Sequence, residues 1–419
     1  LVLAAAGCAW GQDLSSIVAR IDKLEQENRE LRAQVKALQD RLDGKVEPQA
    51  EIQEKRIEDL AQTKVEAAQK FPLRIAGMAL FNAYLNSRES GGAEYPVTAA
   101  PPGTGNAGAT LRQTILGLEY QGPRTAWGGT VHGSVYMDFF AGTTNQAARL
   151  RTGEIQVDWK TRSVMAGVEK PIFNPREPSS LAQVGISPLT GAGNLWLWLP
   201  QVRVEQDFAF GGRSGLRAQA GVVETHEVGP YVGSTFTGSL EPGRPAVEGR
   251  FEAYRKLDDD RRIEVAPGFH VSTTHANGVS IPSQLFSLDW FANPWRRVEF
   301  TGAFYDGENV APLGNGYEQG FYGYGRYLKP VASAGGWAQF TVHLLPRVDL
   351  HLFSGQQDDR NRDLAAGRIG KNWMYGGNVF YRIAPNVLIG VEMTQLRTWY
   401  LAQGVRINNH YDLAWAYLF

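Results

Sequence analysis

Apolar and polar residues recur along this chain with two different periods, and the change falls near Phe71. Before it the period is helical. Leu14, Ile21, Asn28, Val35 and Leu42 fall seven apart, as do Ile17, Leu24, Leu31 and Leu38, with Glu25, Arg29, Arg32, Lys36 and Asp40 around them. A seam of two positions per heptad predicts a coiled coil over 12–46, because a helix lying on a core needs a wider apolar stripe. At ~1.5 Å per residue the seam from Leu14 to Leu42 is about 44 Å long. Asn28 at an a position sets the register, and β-branched a residues with Leu at d lean toward a dimer. A break at Gly44-Lys45-Val46-Glu47-Pro48 leads into a less regular helical linker over 47–70.

From Phe71 onward the period is two. In Trp127–Phe140, Val131, Val135, Met137 and Phe139 oppose His132, Ser134, Tyr136 and Asp138. Near the C-terminus, Tyr411, Leu413, Trp415, Tyr417 and Phe419 oppose Asn408, His410, Asp412, Ala414 and Ala416. One face apolar and aromatic, the other polar or small, suits a wall between lipid and water. Sixteen such segments are predicted: 74–86, 111–120, 127–140, 148–159, 162–170, 200–208, 215–225, 245–256, 262–274, 283–291, 297–305, 335–345, 348–356, 371–382, 387–397 and 406–419. An even number returns both ends of the barrel to one side, and sixteen strands leave an aqueous channel. Phe321–Tyr327 alternates too, but as a wall strand it would make the count odd, so it is assigned to a loop. In 148–159, Arg151 shares parity with Ile155, Val157 and Trp159, which requires a bulge or a position above the lipid band. Short connections (121–123, 159–161, 211–213, 257–260, 293–294, 345–347, 384–386) alternate with long ones near 87–110, 171–199, 226–243, 306–334 and 357–370. That asymmetry between rims belongs to outer-membrane barrels. The expected fold class is therefore an all-β transmembrane barrel of sixteen antiparallel strands over 71–419, preceded by an α-helical coiled coil.

Composition narrows the alternatives. The 419 residues carry a net charge of −1, and no run approaches the ~20 apolar residues of a spanning helix. Mean hydropathy is −0.29, as expected when lipid-facing and lumen-facing residues alternate. A single Cys and 47 Gly suit an exported chain without disulfides. Residues 1–11 read as the remainder of a signal peptide, with Ala9-Trp10-Gly11 as a cleavage pattern before Gln12. The alternative is lipid attachment at Cys8. Residues 13–70 hold 13 acids and 11 bases, an ion-paired coil and not a nucleic-acid arm.

An exported coiled coil ahead of a sixteen-stranded barrel resembles the DcaP-like trimeric porins of Gram-negative outer membranes. Val135-Tyr136-Met137-Asp138-Phe139-Phe140, Arg149-Leu150-Arg151 and Gly167-Val168-Glu169-Lys170-Pro171 fall where that family carries similar strand motifs. The resemblance implies a homotrimer in which each protomer forms its own pore for small, often anionic, solutes. It also implies outer-membrane lipid and lipopolysaccharide around the wall, a periplasmic coil and no cofactor. The dimer-leaning heptad seam departs from that pattern.

The charged residues suggest what such a lumen selects. Past residue 70 there are 26 Arg and 5 Lys against 30 acids. Arg keeps its charge in any environment and pairs planar carboxylates bidentately. Strand parity turns Arg203, Arg217 and Arg250 inward on three successive strands, with Arg112, Arg149 and Arg151 as further candidates. Glu205, Glu248, Glu252 and Glu264 lie among them. The long connection 171–199 carries one acid, Glu177, and follows the fifth strand, where porins fold a loop inward. An arginine wall facing that loop would give a mild preference for anions such as carboxylates; the competing reading pairs these arginines with their glutamate neighbours. Trp196 and Trp198 read as an interfacial aromatic belt or a contact between protomers, with a track for sugars or aromatic acids as the alternative. Seven His are scattered without metal-ligand spacing, and neither G-x-S-x-G nor a P-loop occurs, so no enzyme is expected. His410 and Asp412 read as lumen-facing polar residues. The rival function is a structural tether from the membrane to peptidoglycan through the coil.

Overall fold

The computed structural model of the chain describes residues 26–27, 30–35, 73–141, 147–227 and 238–419. The chain divides into two units, Leu1–Gln69 and Lys70–Phe419. In the first, residues 26–27 and 30–35 are helical, with Leu31 and Val35 exposed. The other seam positions, Leu14, Ile17, Ile21, Leu24, Asn28, Leu38 and Leu42, lie outside the described residues, as do Cys8, the signal remnant and the linker.

The second unit is built of strands: β1 Leu73–Asn86, β2 Asn106–Thr110, β3 Ile115–Arg124, β4 Thr130–Ala141, β5 Ala147–Asp158, β6 Arg162–Glu169, β7 Leu199–Ala209, β8 Ser214–His226, β9 Gly243–Lys256 and β10 Arg262–Ala276. There follow β11 Val279–Trp295, β12 Val298–Glu308, β13 Phe321–Tyr324, β14 Tyr327–Pro330, β15 Ala332–Leu345, β16 Val348–Asp359, β17 Ile369–Ala384, β18 Val387–Tyr400 and β19 Gly404–Leu418. Each wall strand pairs antiparallel with its neighbour, and β1 closes the ring by pairing with β19. β2 and β3 both pair with β1 and form two halves of one stave, while β13 and β14 form a separate hairpin. The barrel therefore has sixteen staves, and Phe321–Tyr327 belongs to a loop as its parity required.

The break in the second stave is local. The chain turns at 111–114, Gln113 is buried, and the Thr114 hydroxyl accepts the Leu80 amide at 3.1 Å in place of a ladder carbonyl. The predicted strand 111–120 is corrected here: that turn falls inside it, and β2 supplies the missing half. The Arg151 parity conflict is resolved by a bulge. Tyr136 pairs with Thr152 and Met137 with Leu150, leaving Arg151 as the extra residue. Arg149 and Arg151 consequently both face the lumen while Leu150 and Ile155 face out.

Outward positions are apolar and exposed along most of the wall, including Val202, Val204, Phe251, Val391, Met393, Leu413 and Trp415. So continuous an apolar surface is not left uncovered in water, whereas a bilayer covers it. Short turns and both barrel ends share one rim; the long connections 87–105, 170–198, 309–320 and 360–368 share the other. Two connections on that rim are tight instead: 401–403 joins β18 to β19, and β10 and β11 run on to a two-residue hairpin at Asn277-Gly278, both at positive φ as a type I′ turn needs. Sequence reading stops those strands short because Ser, Thr and Pro near 272–283 resemble loop.

Phe419 extends the closing seam, exchanging backbone hydrogen bonds with Gly77 at 2.9 and 3.1 Å. A Cβ on Gly77 would sit 2.4 Å from the Ile115 carbonyl oxygen and 2.8 Å from the Phe419 ring. Gly77→Val is therefore expected to destabilise the closed barrel by about 1–3 kcal/mol, lowering the temperature at which its gel mobility converts to that of the unfolded chain. An unchanged conversion temperature would show that the seam tolerates the branch.

Candidate functional site

The lumen is organised by residues 170–198, which leave β6, cross the inside of the barrel and return at β7. Wall side chains hook its backbone at successive points. The Ile172 amide donates to Glu248 on β9 at 2.7 Å, and Ser287 on β11 donates to the Phe173 carbonyl at 3.1 Å. The Ser179 amide donates to Gln339 on β15, Asn378 on β17 donates to the Ser179 carbonyl, and the Ser180 hydroxyl donates to Glu392 on β18 at 2.5 Å. Asn82 on β1 donates to the Leu181 carbonyl, and Asn372 on β17 donates to that of Gly191. Fully buried Gln113 donates to the Ala182 carbonyl and accepts the amides of Val184 and Gly185, each at 2.7 Å.

Apolar packing backs these hooks. Ile172, Phe173 and Leu195 join Leu199, Val223, Leu285 and Tyr305; Leu189 and Ala192 join Trp337, Phe353, Met374 and Leu396. The lumen-facing apolar residues Leu285, Trp337, Phe353, Met374 and Leu396 are thus covered by the loop, where uncovered ones would meet water. Gln113→Ala removes one hook and strands two loop amides, at an expected cost of about 1–3 kcal/mol. Larger current noise in single-channel recordings would reveal the loosened loop; a trace as quiet as wild type would refute its role.

The predicted arginine wall is present in position but differs in electrostatics. Arg250 is 3% exposed and fully engaged, with Nε 2.7 Å and Nη2 2.8 Å from the two Asp289 oxygens and Nη2 2.6 Å from Glu252. Arg217 bridges Glu252 at 2.9 Å and Glu205 at 3.3 Å. Arg176, from the inward loop, reaches Asp289 at 2.6 Å and Glu264 at 2.7 Å, and Glu264 also holds Arg262. Four cations thus meet four carboxylates. Neither Arg176 nor Asp289 stands out in the sequence: Arg176 sits in a connection with no period, and Asp289 reads as one more polar residue on a strand. Glu248 pairs with His270 at 2.9 Å, and Glu177 is held by Lys170 at 2.6 Å.

Another cluster carries more cation than acid. Arg149 and Arg151 both bind the buried Asp138, at 2.6 and 2.9 Å, and donate to the carbonyls of Gly185 and Val184. Trp196 and Trp198 pack edge to face at 4.6 Å beside them, with the Arg151 guanidinium 4.6 Å and that of Arg149 5.0 Å from the Trp198 ring. The tryptophans are therefore lumen residues, which corrects their expected place in an interfacial belt. Arg112 pairs with Glu94 at 2.9 Å and lies over Phe140. Arg203 faces inward, half-buried, on β7.

Space remains beside the loop along β1 and β3–β6. One cavity of about 540 Å³ is lined by Met78, Tyr136, Arg151, Glu169, Lys170 and Trp198. A neighbouring cavity of about 650 Å³, sharing Tyr136 and Glu169, includes Glu119, His132 and Glu154 toward the short-turn rim. Along this passage a cationic, aromatic stretch at the loop gives way to an acidic one. In the adjoining loop, burial and the charges of Asp412 and Glu94 hold the Tyr95 phenol well above its ordinary pKa, so it stays neutral in ordinary buffers.

A closed sixteen-stave barrel, apolar outside and polar inside, with one long connection folded into the lumen, defines the porin-type fold of outer-membrane channels. No protein-family model and no curated protein sequence matches the chain. Among solved structures it is similar to the outer membrane channel DcaP of Acinetobacter baumannii, with a TM-score of 0.68 at 16% identity over 83% of this chain and 97% of that one. It is also similar to the anion-selective porin of Comamonas acidovorans (TM-score 0.54, 11% identity, 83% and 99% covered). OmpT of Vibrio cholerae, an outer membrane protein, follows at 0.51 and 9% identity, with 84% and 99% covered. The sixteen-stranded barrel that the DcaP-like resemblance implies is the fold found.

Proposed function

We propose that the protein is an outer-membrane porin through which small hydrophilic solutes diffuse passively, with a mild preference for anions such as carboxylates. The passage left beside the inward loop along β1 and β3–β6 carries this reading. The excess of Arg149 and Arg151 over Asp138 beside the inward loop, with Arg203 facing the lumen from β7, supports the anion preference. A low-dielectric constriction focuses the field of such charges. Arg217 and Arg250 contribute little to it, because Glu205, Glu252 and Asp289 cancel them locally. We place the short-turn rim and the coiled coil in the periplasm and the chain in a homotrimer, in keeping with the DcaP-like architecture. The test is reversal potential across a planar bilayer holding the full chain under a KCl gradient. A chloride-selective potential is the expected result; a cation-selective one would remove the anion preference, and absence of conductance would remove the porin reading.

A further inference from the structure

One part of the outer wall departs from the apolar rule. Ser354, Tyr375, Gln395 and Asn409 stand opposite one another across β16, β17, β18 and β19, all on the outward face. They are linked: the Tyr375 hydroxyl donates to Gln395 Oε1, and Gln395 Nε2 donates to Asn409 Oδ1 at 2.8 Å. The next row toward the long-loop rim is Gln356, Trp373, Arg397 and Ile407, and the one beyond it Asp358, Lys371, Trp399 and Val405. Because about 9–11 residues carry a tilted strand across the hydrocarbon, Arg397 on β18 lies where the acyl region gives way to headgroups.

Two cations are held ready there. Arg397 Nε donates to Gln395 Oε1 at 2.9 Å, and its guanidinium lies 5.8 Å from the Trp373 ring centroid and 5.7 Å from that of Tyr375. Among the described residues no carboxylate lies within ion-pair distance of it, so its outer nitrogens are left for another anion. Lys371 Nζ lies 5.6 Å over Trp399 and 4.0 Å from Asp358, a carboxylate that is itself 54% exposed. Beside these rows the outer face of β12, β15 and β16 forms a groove of about 470 Å³ floored by Gly336 and Ala338 and walled by Trp290, Phe304 and Ser354. Small residues between large ones leave a furrow in which a hydrocarbon chain can lie.

We propose that this face binds a phosphorylated glycolipid of the outer leaflet, its phosphate on Arg397 and Lys371 and an acyl chain in the groove over Gly336 and Ala338. An unpaired arginine facing lipid is costly, and a phosphate accepting its free nitrogens relieves that cost. The aromatic rings beneath both cations keep them flat against the wall, where a headgroup sits. The proposal rests on the outer-membrane placement but not on permeation.

The test uses the full chain in detergent, stripped of lipid and titrated with bisphosphorylated lipid A, its dephosphorylated form, and phosphatidylglycerol. Bisphosphorylated lipid A is expected to bind about tenfold more tightly than either of the others. The double substitution Arg397→Gln with Lys371→Gln is expected to abolish that margin, while Arg397→Lys retains part of it. Heat-modifiable gel mobility confirms that each variant is folded, and conductance, measured in parallel, is expected to be unchanged. Equal binding of the dephosphorylated lipid, equal binding of phosphatidylglycerol, or an unaffected double variant would overturn the proposal. So would Ser354→Cys forming disulfide-linked pairs of the chain in native membranes, since the face would then be a contact between copies. A channel that fails to conduct yet keeps the lipid A margin would overturn only the porin reading.

Discussion

Replacing Asp289 with asparagine is expected to destabilise the barrel by about 3–5 kcal/mol, because it strips a buried carboxylate from two guanidinium groups. Asp289 is fully buried and takes hydrogen bonds from Arg176 Nε at 2.6 Å and from Arg250 Nε and Nη2 at 2.7 and 2.8 Å. The substitution keeps the size of the side chain but removes its charge. It also turns an amide donor toward donors, so at least one guanidinium loses this acceptor and keeps only its glutamate. Arg176 belongs to the inward loop, and Arg250 to the wall; their shared acceptor is a tie between the two. The loss should therefore appear in two measurements, a lower urea midpoint in detergent and a higher, more variable single-channel conductance. Glu308→Gln is the control: that carboxylate meets Gln284 at the exposed outer edge, and its loss should stay within about 0.5 kcal/mol. An Asp289→Asn channel with wild-type midpoint and conductance would mean that the network does not hold the loop.

Neutralising Arg149 and Arg151 together is expected to shift the chloride-to-potassium permeability ratio toward potassium by about fivefold, since the two charges sit beside the inward loop at the edge of the passage, where low-dielectric walls focus the field. Asp138 would then face the lumen side without its two ion pairs, so the sign of the local charge reverses. The reversal potential under a KCl gradient reads the change directly. Arg250→Gln should by contrast change the ratio less, because Arg250 is buried on β9 and lines neither of the cavities along β1 and β3–β6. The opposite pattern, with Arg250 dominant and Arg149 and Arg151 silent, would place selectivity on the other side of the barrel. Dicarboxylates become the natural solutes to test once the arginine pair is shown to matter.

The sequence by itself determined the barrel. Alternation with period two states which side of each strand meets lipid, and the hydrophobic effect enforces it residue by residue, as in Val135 and Met137 against Tyr136 and Asp138. The assignment of Phe321–Tyr327 to a loop follows instead from parity, since an even count returns both barrel ends to one rim. The parity conflict at Arg151 is visible too, although only the pairing of Thr152 with Tyr136 identifies it as a bulge. Tertiary structure alone decided the lumen. The course of residues 170–198 depends on contacts between residues far apart along the chain, such as Gln113 with Val184 or Glu392 with Ser180, and no local period encodes them. One signal is present: Trp337, Phe353, Met374 and Leu396 are apolar at inward positions, which makes sense only if something inside covers them. Charge pairing is equally out of reach, because the partner of Arg250 is Asp289, two staves away, and Arg176 arrives from a segment without periodicity. A strand's faces are set by its own residues and its solvent, whereas an electrostatic balance is set by whichever charges the closed wall brings within a few ångströms.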